Sequence, residues 1–469
     1  MNRGKKSDKF SYITEGPILK SLFTLGLPIM LSQLLQTLYN LADTLWVGRV
    51  GAGAVAAISI SFPVVFLTIS IAAGLTIAGT ALIAQYKGAG REEEIDHVLG
   101  QMFSFIGLIA GVIAVLGFIF SRKMMLLMGA EPTIIGDATG YIRIIFAGMP
   151  FMFAFFIFSA TLRGMGDTMT PAIMMLVSVV LNIVLDPLLI FGVGPFPEFG
   201  VQGAAIATIF SRGVVAIYAM IILFKGTKGL HLKLEHMVPD WEIITKIVKI
   251  GVPSSVEQSM IALGQVFMTG LVTSFGTMTL AAYGIVNRVI SLPSILAFGL
   301  SASATTMVGQ NIGADKNDRA KETARVSLKT IFISLTGLGV LMMIDPRWIV
   351  RIFNDAPEVL RYGSQYLRIV ALSFGFIGVM IISNGVFKGA GKTVPPMIIS
   401  SASQWVFRFG VGFLLARLLN WDQRGLWWAM AISNVAGALM GVIWLKLSDW
   451  SHKVIEDKKP ALKLAADAE

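Results

Sequence analysis

A turn-like sequence that occurs twice decides the fold of this chain. Residues 163–168 read RGMGDT, and residues 388–393, which lie 225 positions later, read KGAGKT. Further anchors keep the offset of 225: GLP at 26–28 with GVP at 251–253, QYKGA at 85–89 with QNIGA at 310–314, and YIR at 141–143 with YLR at 366–368. Because one offset holds over most of the chain, the sequence predicts two related lobes, and each half serves as a control for the other.

The composition indicates a membrane protein. The 469 residues are 55% hydrophobic and only 14% charged, and the mean hydropathy is +0.74. Soluble domains carry about 25% charged residues, so this chain has too little polar surface for water. Cysteine is absent, which excludes disulfides and thiolate metal sites. The net charge of +10 comes from loops and tails between apolar runs, so it indicates membrane orientation and no nucleic-acid partner.

Twelve apolar runs are each long enough to cross a bilayer, which takes roughly 20 residues. They lie near 21–44, 55–85, 97–120, 138–160, 171–192, 201–224, 243–270, 279–309, 327–344, 366–386, 394–416 and 426–445. A β-barrel would instead show alternating segments of about ten residues. Six spans per half give both halves the same orientation. The predicted fold is therefore an all-α polytopic membrane protein with two parallel six-helix lobes, related by a pseudo-twofold axis along the membrane normal.

The predicted units of the chain are an N-tail (1–17), an N-lobe (18–225), a linker (226–241), a C-lobe (242–447) and a C-tail (448–469). With the N-terminus inside, the inner segments hold 25 Lys and Arg residues and the outer loops hold 10. Cytoplasmic loops carry the excess of basic residues, so both termini are expected in the cytoplasm and the protein in the cell membrane. The first 20 residues are polar and lack the apolar core of a signal peptide.

Acidic residues inside membrane spans are energetically costly and by default indicate function. Asp43 lies near the outer end of span 1. Asp186 lies in the outer half of span 5, with Asn182 one helical turn before it. Tyr141 and Thr208 lie at a similar depth near the starts of spans 4 and 6. Their carboxylate, amide and hydroxyl oxygens suit H⁺ or Na⁺ rather than zinc or copper, so we expect a site for a coupling cation and no other cofactor.

The second half lacks most of this polar set. Asp43 aligns with Met268, Asn182 with Phe407, Asp186 with Val411 and Thr208 with Met430, while Tyr141 recurs as Tyr366. The cation chemistry is therefore expected in the N-lobe alone. Plainer interpretations stay open for single residues: Asp43 could cap a loop in water, Tyr141 could anchor at the membrane interface, and Thr208 could bond its own helix backbone.

Prolines and further charges within spans mark other positions. Pro28 in span 1 and Pro187 in span 5 each remove a backbone donor, so each could act as a hinge or form a static kink. In the second half, Glu257, Arg288 and Arg408 are expected to form an ion pair or a triad. Partners lower the cost of burying such charges. Both a structural role and a role in substrate contact are open for this network.

Three segments resemble the multidrug and toxic compound extrusion (MATE) transporters: QTLYNLAD at 36–43, RGMGD at 163–167 and LNIVLDP at 181–187. The resemblance covers the chain from about residue 18 to residue 446. It implies six plus six spans and the export of amphipathic, often cationic compounds in exchange for H⁺ or Na⁺. It also places the five N-lobe polar residues at the cation site of the DinF-like prokaryotic branch. Glu257 departs from that branch, since it lies near an acidic residue of NorM-like members.

The partners expected are small amphipathic substrates and the lipid bilayer, and the chain is expected to be a monomer. A flippase for lipid-linked sugars or other lipids is the transport alternative, because Arg288, Arg408 and Arg212, which has no evident partner, could form a basic cavity. A gated channel is a further alternative. An enzyme is not expected, because HExxH and GxSxG are absent and the stretch 388–393 lacks a phosphate-loop glycine at Val386.

Overall fold

Long helices account for most of the computed structural model, which describes residues 11–456. No strand occurs within that range. The twelve membrane helices are α1 (Ile18–Val50), α2 (Ala52–Gly88), α3 (Glu92–Leu127), α4 (Ile135–Met165), α5 (Met169–Ile190), α6 (Val201–Phe224), α7 (Trp241–Thr273), α8 (Thr277–Gly313), α9 (Asn317–Ile344), α10 in two segments (Pro357–Ala371 and Phe374–Gly389), α11 (Val394–Leu418) and α12 (Asp422–Leu447). Short helices, Tyr12–Glu15 and Pro346–Arg351, lie in connecting segments. Residues 1–10 and 457–469 of the predicted tails lie outside the described residues.

Each predicted span corresponds to one of these helices, and most helices are longer than the apolar run that predicted them. Among the described residues, ten helices are long and apolar enough to cross a membrane, and the bent pair of α10 makes an eleventh. The remaining helix, α7, has 33 residues, well above the roughly 20 that a span needs. It is less apolar because it carries Lys246, Lys249 and Glu257. The prediction of an all-helical polytopic fold is confirmed.

Both described ends of the chain and several connections lie on one side of the bundle, which we call the terminus side. Ion pairs on this side join Lys316 to Glu15 (3.5 Å), Lys453 to Asp315 (2.7 Å), His97 to Asp240 (2.9 Å) and Lys228 to Asp167 (3.4 Å). They bring together the segment before α1, the α4–α5 and α8–α9 turns, the linker and the segment after α12. An even number of crossings per half produces this arrangement, as expected for a parallel repeat.

The helices α1 and α7 are each shared between two hydrophobic cores. One core is built mainly from α2 to α6, and the other mainly from α8 to α12. In α1, Leu22 and Leu25 belong to the second core, whereas Tyr39 belongs to the first. In α7 the order is reversed, with Ile247 in the first core and Met268 in the second. Each lobe therefore takes up the terminus-side half of the other lobe's first helix, and the boundaries 18–225 and 242–447 stay a prediction.

Two helices depart from regular geometry in ways that the sequence does not predict. The tenth span, predicted near 366–386, breaks after Ala371 and bends by 55° at the break. Helix α11 winds into π turns over Ala402–Gly410 and Leu414–Leu418. Pro28 and Pro187, by contrast, lie inside α1 and α5, which continue through them. Because proline leaves the carbonyl four residues earlier without its helical donor, both positions remain candidate hinges.

Candidate cation site

The predicted acidic residues of the first lobe lie together. Asp186 and Asn182 are fully buried in α5, and the Asn182 amide donates to Asp186 Oδ1 at 3.1 Å. The spacing of four residues places both side chains on one face of the helix. The carboxyl group of Asp43, near the end of α1, faces both of them. Two carboxyl groups and one amide therefore meet between α1 and α5.

Several oxygen atoms in this cluster are buried without a hydrogen-bond partner among the described residues. They are Asp43 Oδ1, Asp186 Oδ2, Asn182 Oδ1 and Tyr39 Oη. A buried polar atom without a partner typically costs about 1–3 kcal/mol, so four of them in one place are unusual. Carboxylate, amide and phenol oxygens are suitable ligands for a proton or a hard cation such as Na⁺. The residues present thus fit the coupling cation that the sequence predicts.

Tyr39 is a candidate site residue that sequence analysis missed. It is only 2% exposed and lies one turn before Asp43 on α1. The guanidinium of Arg212 lies over its ring, 5.2 Å from the centroid, and Arg212 Nη2 donates to Gln36 Oε1 at 2.9 Å. The expectation that Arg212 has no partner was therefore wrong. Gln36, Tyr39 and Asp43 are spaced at i, i+3 and i+7, so they share one face of the helix. This spacing is the sequence signal from which Gln36 and Tyr39 could have been predicted.

The remaining predicted residues of the N-lobe site lie around this centre. Tyr141 on α4 is half-buried and is an electrostatic neighbour of Asp43, Asp186 and Tyr39. Thr208 on α6 is 9% exposed and lies next to the Tyr39 hydroxyl. The structure thus brings all five predicted residues together from four helices.

The equivalent region of the second lobe has different side chains. Tyr366, the counterpart of Tyr141, is 1% exposed and stacks on Trp427 with ring centroids 4.2 Å apart. Its hydroxyl donates to Asn287 Oδ1 at 3.2 Å. Met268, which replaces Asp43, lies in the apolar core and is 1% exposed. Aromatic and aliphatic packing therefore replaces the polar cluster, so the repeat preserves the scaffold and changes the chemistry.

The network predicted from Glu257, Arg288 and Arg408 does not form. Glu257, which is 2% exposed, forms an ion pair at 3.0 Å with Lys388 on α10. The Asn384 amide (3.4 Å) and the Ser400 hydroxyl (3.1 Å) donate to Glu257 Oε1. The prediction failed because Lys388 belongs to the repeated stretch 388–393, which the sequence suggests is a loop outside the membrane.

The two arginines of that expected network lie elsewhere. Arg408, within the π turns of α11, donates to Gln404 Oε1 (3.1 Å), Ser433 Oγ (3.1 Å) and Asn434 Oδ1 (3.0 Å). Arg288 on α8 is exposed. Within residues 11–456, neither arginine forms an ion pair with Glu257. Arg408 is therefore held by neutral polar groups of α11 and α12.

A duplicated bundle of twelve membrane helices, with two aspartates and an asparagine gathered in its first lobe, defines a membrane transporter. The MatE family model matches the chain twice, over residues 28–188 and 253–414, and the two matches begin 225 positions apart. The chain belongs to this family of multidrug and toxic compound extrusion transporters. It is a transporter and not an enzyme, as the sequence predicts.

Individual relatives cover almost the whole chain. The probable multidrug resistance protein YoeA of Bacillus subtilis (strain 168) is 32% identical over 412 residues, which are 87% of this chain and 89% of that protein. A FAD transporter of Shewanella oneidensis is 29% identical over 92% of this chain and 94% of its own. A solved structure described as the outward-facing conformation of a multidrug resistance MATE family transporter is 26% identical, with a TM-score of 0.87, and covers 94% of this chain and 98% of its own.

Proposed function

We propose that this protein exports amphipathic, often cationic compounds in exchange for H⁺ or Na⁺, by alternating access of its two lobes. One observation carries the proposal: Asp43, Asp186 and Asn182 are gathered between two helices with oxygen atoms that have no partner among the described residues. Charged residues inside membrane helices mark ion pathways and proton relays. Met268 and Val411 stand in the second lobe where the first has Asp43 and Asp186, which supports one coupling site in the first lobe.

Helix α1 connects this site to the contact between the lobes. Asp43 lies near one end of α1, while Leu22 and Leu25 near the other end belong to the second lobe's core. Pro28 lies between these two regions and weakens the hydrogen bonding of the helix there. A cation bound at the site removes the cost of burying a carboxylate and so favours the α1 conformation that binds it better. A change in the shape of α1 is thereby transmitted to the other lobe.

The sidedness of the protein follows from its basic residues. The excess of Lys and Arg in the inner segments supports a cytoplasmic location for the terminus side. The lobes contact each other on this side, where the Thr306 hydroxyl of α8 donates to the Arg163 carbonyl of α4 at 2.9 Å. The proposed state is therefore outward-facing, because the lobes are in contact at the cytoplasmic side.

The space between the lobes supports amphipathic substrates. A cavity of about 360 Å³ between α2 and α7, away from the terminus side, is lined by Phe62, Phe66 and Leu263 together with Gln265. Apolar and aromatic walls with few polar groups are typical of sites for drug-like molecules. A phosphate-binding flippase would need several free arginines, but Arg212 is 5% exposed and engaged by Gln36 and Tyr39. Arg408 donates to three neutral side chains, which leaves Arg288 as the exposed arginine of the three. Export of amphipathic compounds therefore remains the better-supported function.

Transport by reconstituted vesicles tests the proposed function. Asp43→Asn and Asp186→Asn proteins, with Asp137→Asn as a control carboxylate on the exposed first turn of α4, are placed in proteoliposomes. Drug movement is measured under a pH gradient and, separately, under a sodium gradient. We expect the two site variants to lose at least tenfold of the gradient-driven rate, which corresponds to about 1.4 kcal/mol, and the control to keep it. Unchanged ion dependence in both site variants would exclude the proposed coupling site.

A further inference from the structure

A second cavity lies on the terminus side of the second lobe, far from the polar cluster. Its volume is about 450 Å³. The wall is formed by the first turns of α7, the turn 388–393, the end of α12 and the segment 448–454 that follows it. The lining includes Lys246, Lys249, Lys392 and Lys453. None of the residues that line this cavity takes part in the proposed transport cycle.

The charges of the cavity are unbalanced. Within residues 11–456, the exposed side chains of Lys249 and Lys392 have no ion-pair partner, whereas Lys246 pairs with Glu242 at 2.6 Å. The acid in the lining is Asp449, and its carboxylate is 2.7 Å from His452 Nε2. Two lysines in one concave surface therefore remain available to an anion.

One wall of the cavity is apolar. Phe387 and Trp444 pack edge to face with ring centroids 6.4 Å apart, and Val394 and Pro395 extend this wall. Tryptophan is enriched at membrane–water interfaces, where one side of the ring is apolar and the other is wet. The basic rim and the apolar wall together match a molecule with a phosphate head and a hydrocarbon chain. A free inorganic anion would use only the rim.

The first lobe provides an internal control for this cavity. Lys392 has Asp167 as its counterpart 225 positions earlier, and Asp167 accepts from the Thr170 amide (3.0 Å) and from Thr170 Oγ1 (2.7 Å). Lys228 pairs with the same carboxylate at 3.4 Å. In the first lobe the carboxylate of the turn therefore neutralises Lys228 of the linker. The exchange of Asp167 for Lys392 creates an excess of positive charge in the second lobe only.

We propose that this cavity binds the phosphate headgroup of an anionic phospholipid, with Lys249 and Lys392 on the phosphate and an acyl chain against Trp444 and Phe387. Basic pockets between membrane helices on the cytoplasmic side bind acidic headgroups in this way. The site also connects to the contact between the lobes, since the Val454 amide in its wall donates to Gln85 Oε1 of the first lobe at 2.9 Å. A bound headgroup therefore stabilises the state in which the terminus side is closed.

Native mass spectrometry of the full-length protein tests this assignment. The detergent-purified protein is titrated with phosphatidylglycerol, with phosphatidylcholine and with inorganic phosphate. Each lysine near an acidic headgroup contributes about 1 kcal/mol, so Lys249→Gln with Lys392→Gln is expected to weaken phosphatidylglycerol binding about 30-fold. The control replaces Lys20 and Lys225, two exposed lysines on the same side outside the cavity, by glutamine. It removes the same charge and is expected to leave binding unchanged.

Other outcomes would overturn the proposal. Equal weakening in the control would show that the surface attracts acidic lipids without a site. Phosphate binding as tight as phosphatidylglycerol binding would assign the rim to a soluble anion. Binding that appears only after removal of residues 457–469 would show that the chain's own tail occupies the cavity. Thermal unfolding of each variant checks that folding is intact, and failure here leaves the proposed antiport untouched because the two sites share no residue.

Discussion

Gln85 and Gln310 make reciprocal hydrogen bonds across the boundary between the lobes. Gln85 Nε2 donates to the Gly389 carbonyl at 3.3 Å, and Gln310 Nε2 donates to the Gly164 carbonyl at 2.9 Å. Both glutamines, and both glycines, are related by the offset of 225. Each lobe therefore supplies the same donor and the same acceptor. The two hydrogen bonds form a symmetric contact between the lobes on the terminus side.

Removal of these donors is expected to open the terminus side. In Gln85→Leu with Gln310→Leu, two backbone carbonyls lose their donors and the Val454 amide loses its acceptor, and each hydrogen bond contributes about 1 kcal/mol. We expect the equilibrium to shift about 150-fold toward the state with the lobes apart. Because the chain has no cysteine, spin labels at Glu93→Cys and Lys321→Cys would report the distance between the lobes by double electron–electron resonance. Gln423→Leu, in the first turn of α12, is the control, and an unchanged distance in the double variant would contradict the prediction.

Close backbone approach makes two glycines of this contact irreplaceable. A β-carbon at Gly313 would collide with the Gln85 carbonyl, and one at Gly88 with the Gln310 carbonyl. Backbone atoms cannot move aside as a flexible side chain can, so Gly313→Ala is expected to separate the lobes more than loss of the glutamines does. The same spin-label distance and the thermal unfolding temperature measure this. Gly111→Ala, where no atom lies within 4 Å of the added carbon, should change neither.

The sequence was sufficient for features that a single helix or the repeat determines. Apolar runs located each of the twelve membrane helices, since the bilayer fixes the length of a span. Asn182 and Asp186 were expected to be neighbours because they are one turn apart on α5, and the structure shows their hydrogen bond. The common depth of Asp43, Tyr141 and Thr208 followed from counting residues along alternating spans. Local geometry and topology thus predicted most of the candidate site.

Features that depend on how helices rotate and cross could not be predicted. The engagement of Arg212 by Gln36 and Tyr39 needs the relative rotation of α1 and α6, which composition does not encode. To predict the pairing of Glu257 with Lys388, one must know how deep in the membrane the end of α10 lies. That depth depends on the break and the 55° bend earlier in the same helix. Span counting places Lys388 outside the membrane and leaves Arg288 and Arg408 as the available cations. The packing of the helices therefore determines that Lys388 is the partner of Glu257.

The linker provides a pH-dependent contribution to stability. Asp240 caps α7 by accepting from the Glu242 amide at 2.9 Å, and the hydrogen bond with His97 (2.9 Å) lowers the pKa of Asp240 below its ordinary value. Because the pKa of Asp240 is lower in the folded than in the unfolded protein, its ionised carboxylate stabilises the fold at pH values above the unfolded-state pKa of about 3.9. This stabilisation is lost as the pH falls through the pKa of the folded state. Asp240→Ala should therefore lower the unfolding temperature at pH 7, and its difference from the parent protein should shrink as the pH falls below about 3.9.

The magnitude expected for this substitution is about 1 kcal/mol, because the Asp240 side chain is 37% exposed and solvent screens its pairing with His97. Unfolding in detergent at pH values between 2 and 7 measures the difference. Asp137→Ala, on the exposed first turn of α4, is the matched carboxylate control. A difference that grows as the pH falls would have the wrong sign and would reject the role assigned to the carboxylate.

The ion pair of Glu257 and Lys388 distinguishes a structural charge from a coupling charge. Glu257 is 2% exposed and the Lys388 side chain 14% exposed, so removal of one partner leaves the other charge buried. Lys388→Met alone is expected to cost about 3–5 kcal/mol of stability, while Lys388→Met with Glu257→Gln should recover part of that loss. Thermal unfolding of the two single variants and the double variant gives the coupling between the residues.

Vesicle transport completes the same experiment. If the pair is structural, Glu257→Gln should slow export only in proportion to the folded fraction and should leave the response to pH and sodium gradients unchanged. Asp186→Asn provides the opposite reference, since its gradient response is expected to be lost. Additive unfolding effects together with a lost gradient response in Glu257→Gln would show that the second lobe also binds the coupling ion. In that case both lobes would bind a cation, each through different residues. The replacement of Asp43 by Met268 would then mark a difference between two cation sites and not the absence of one.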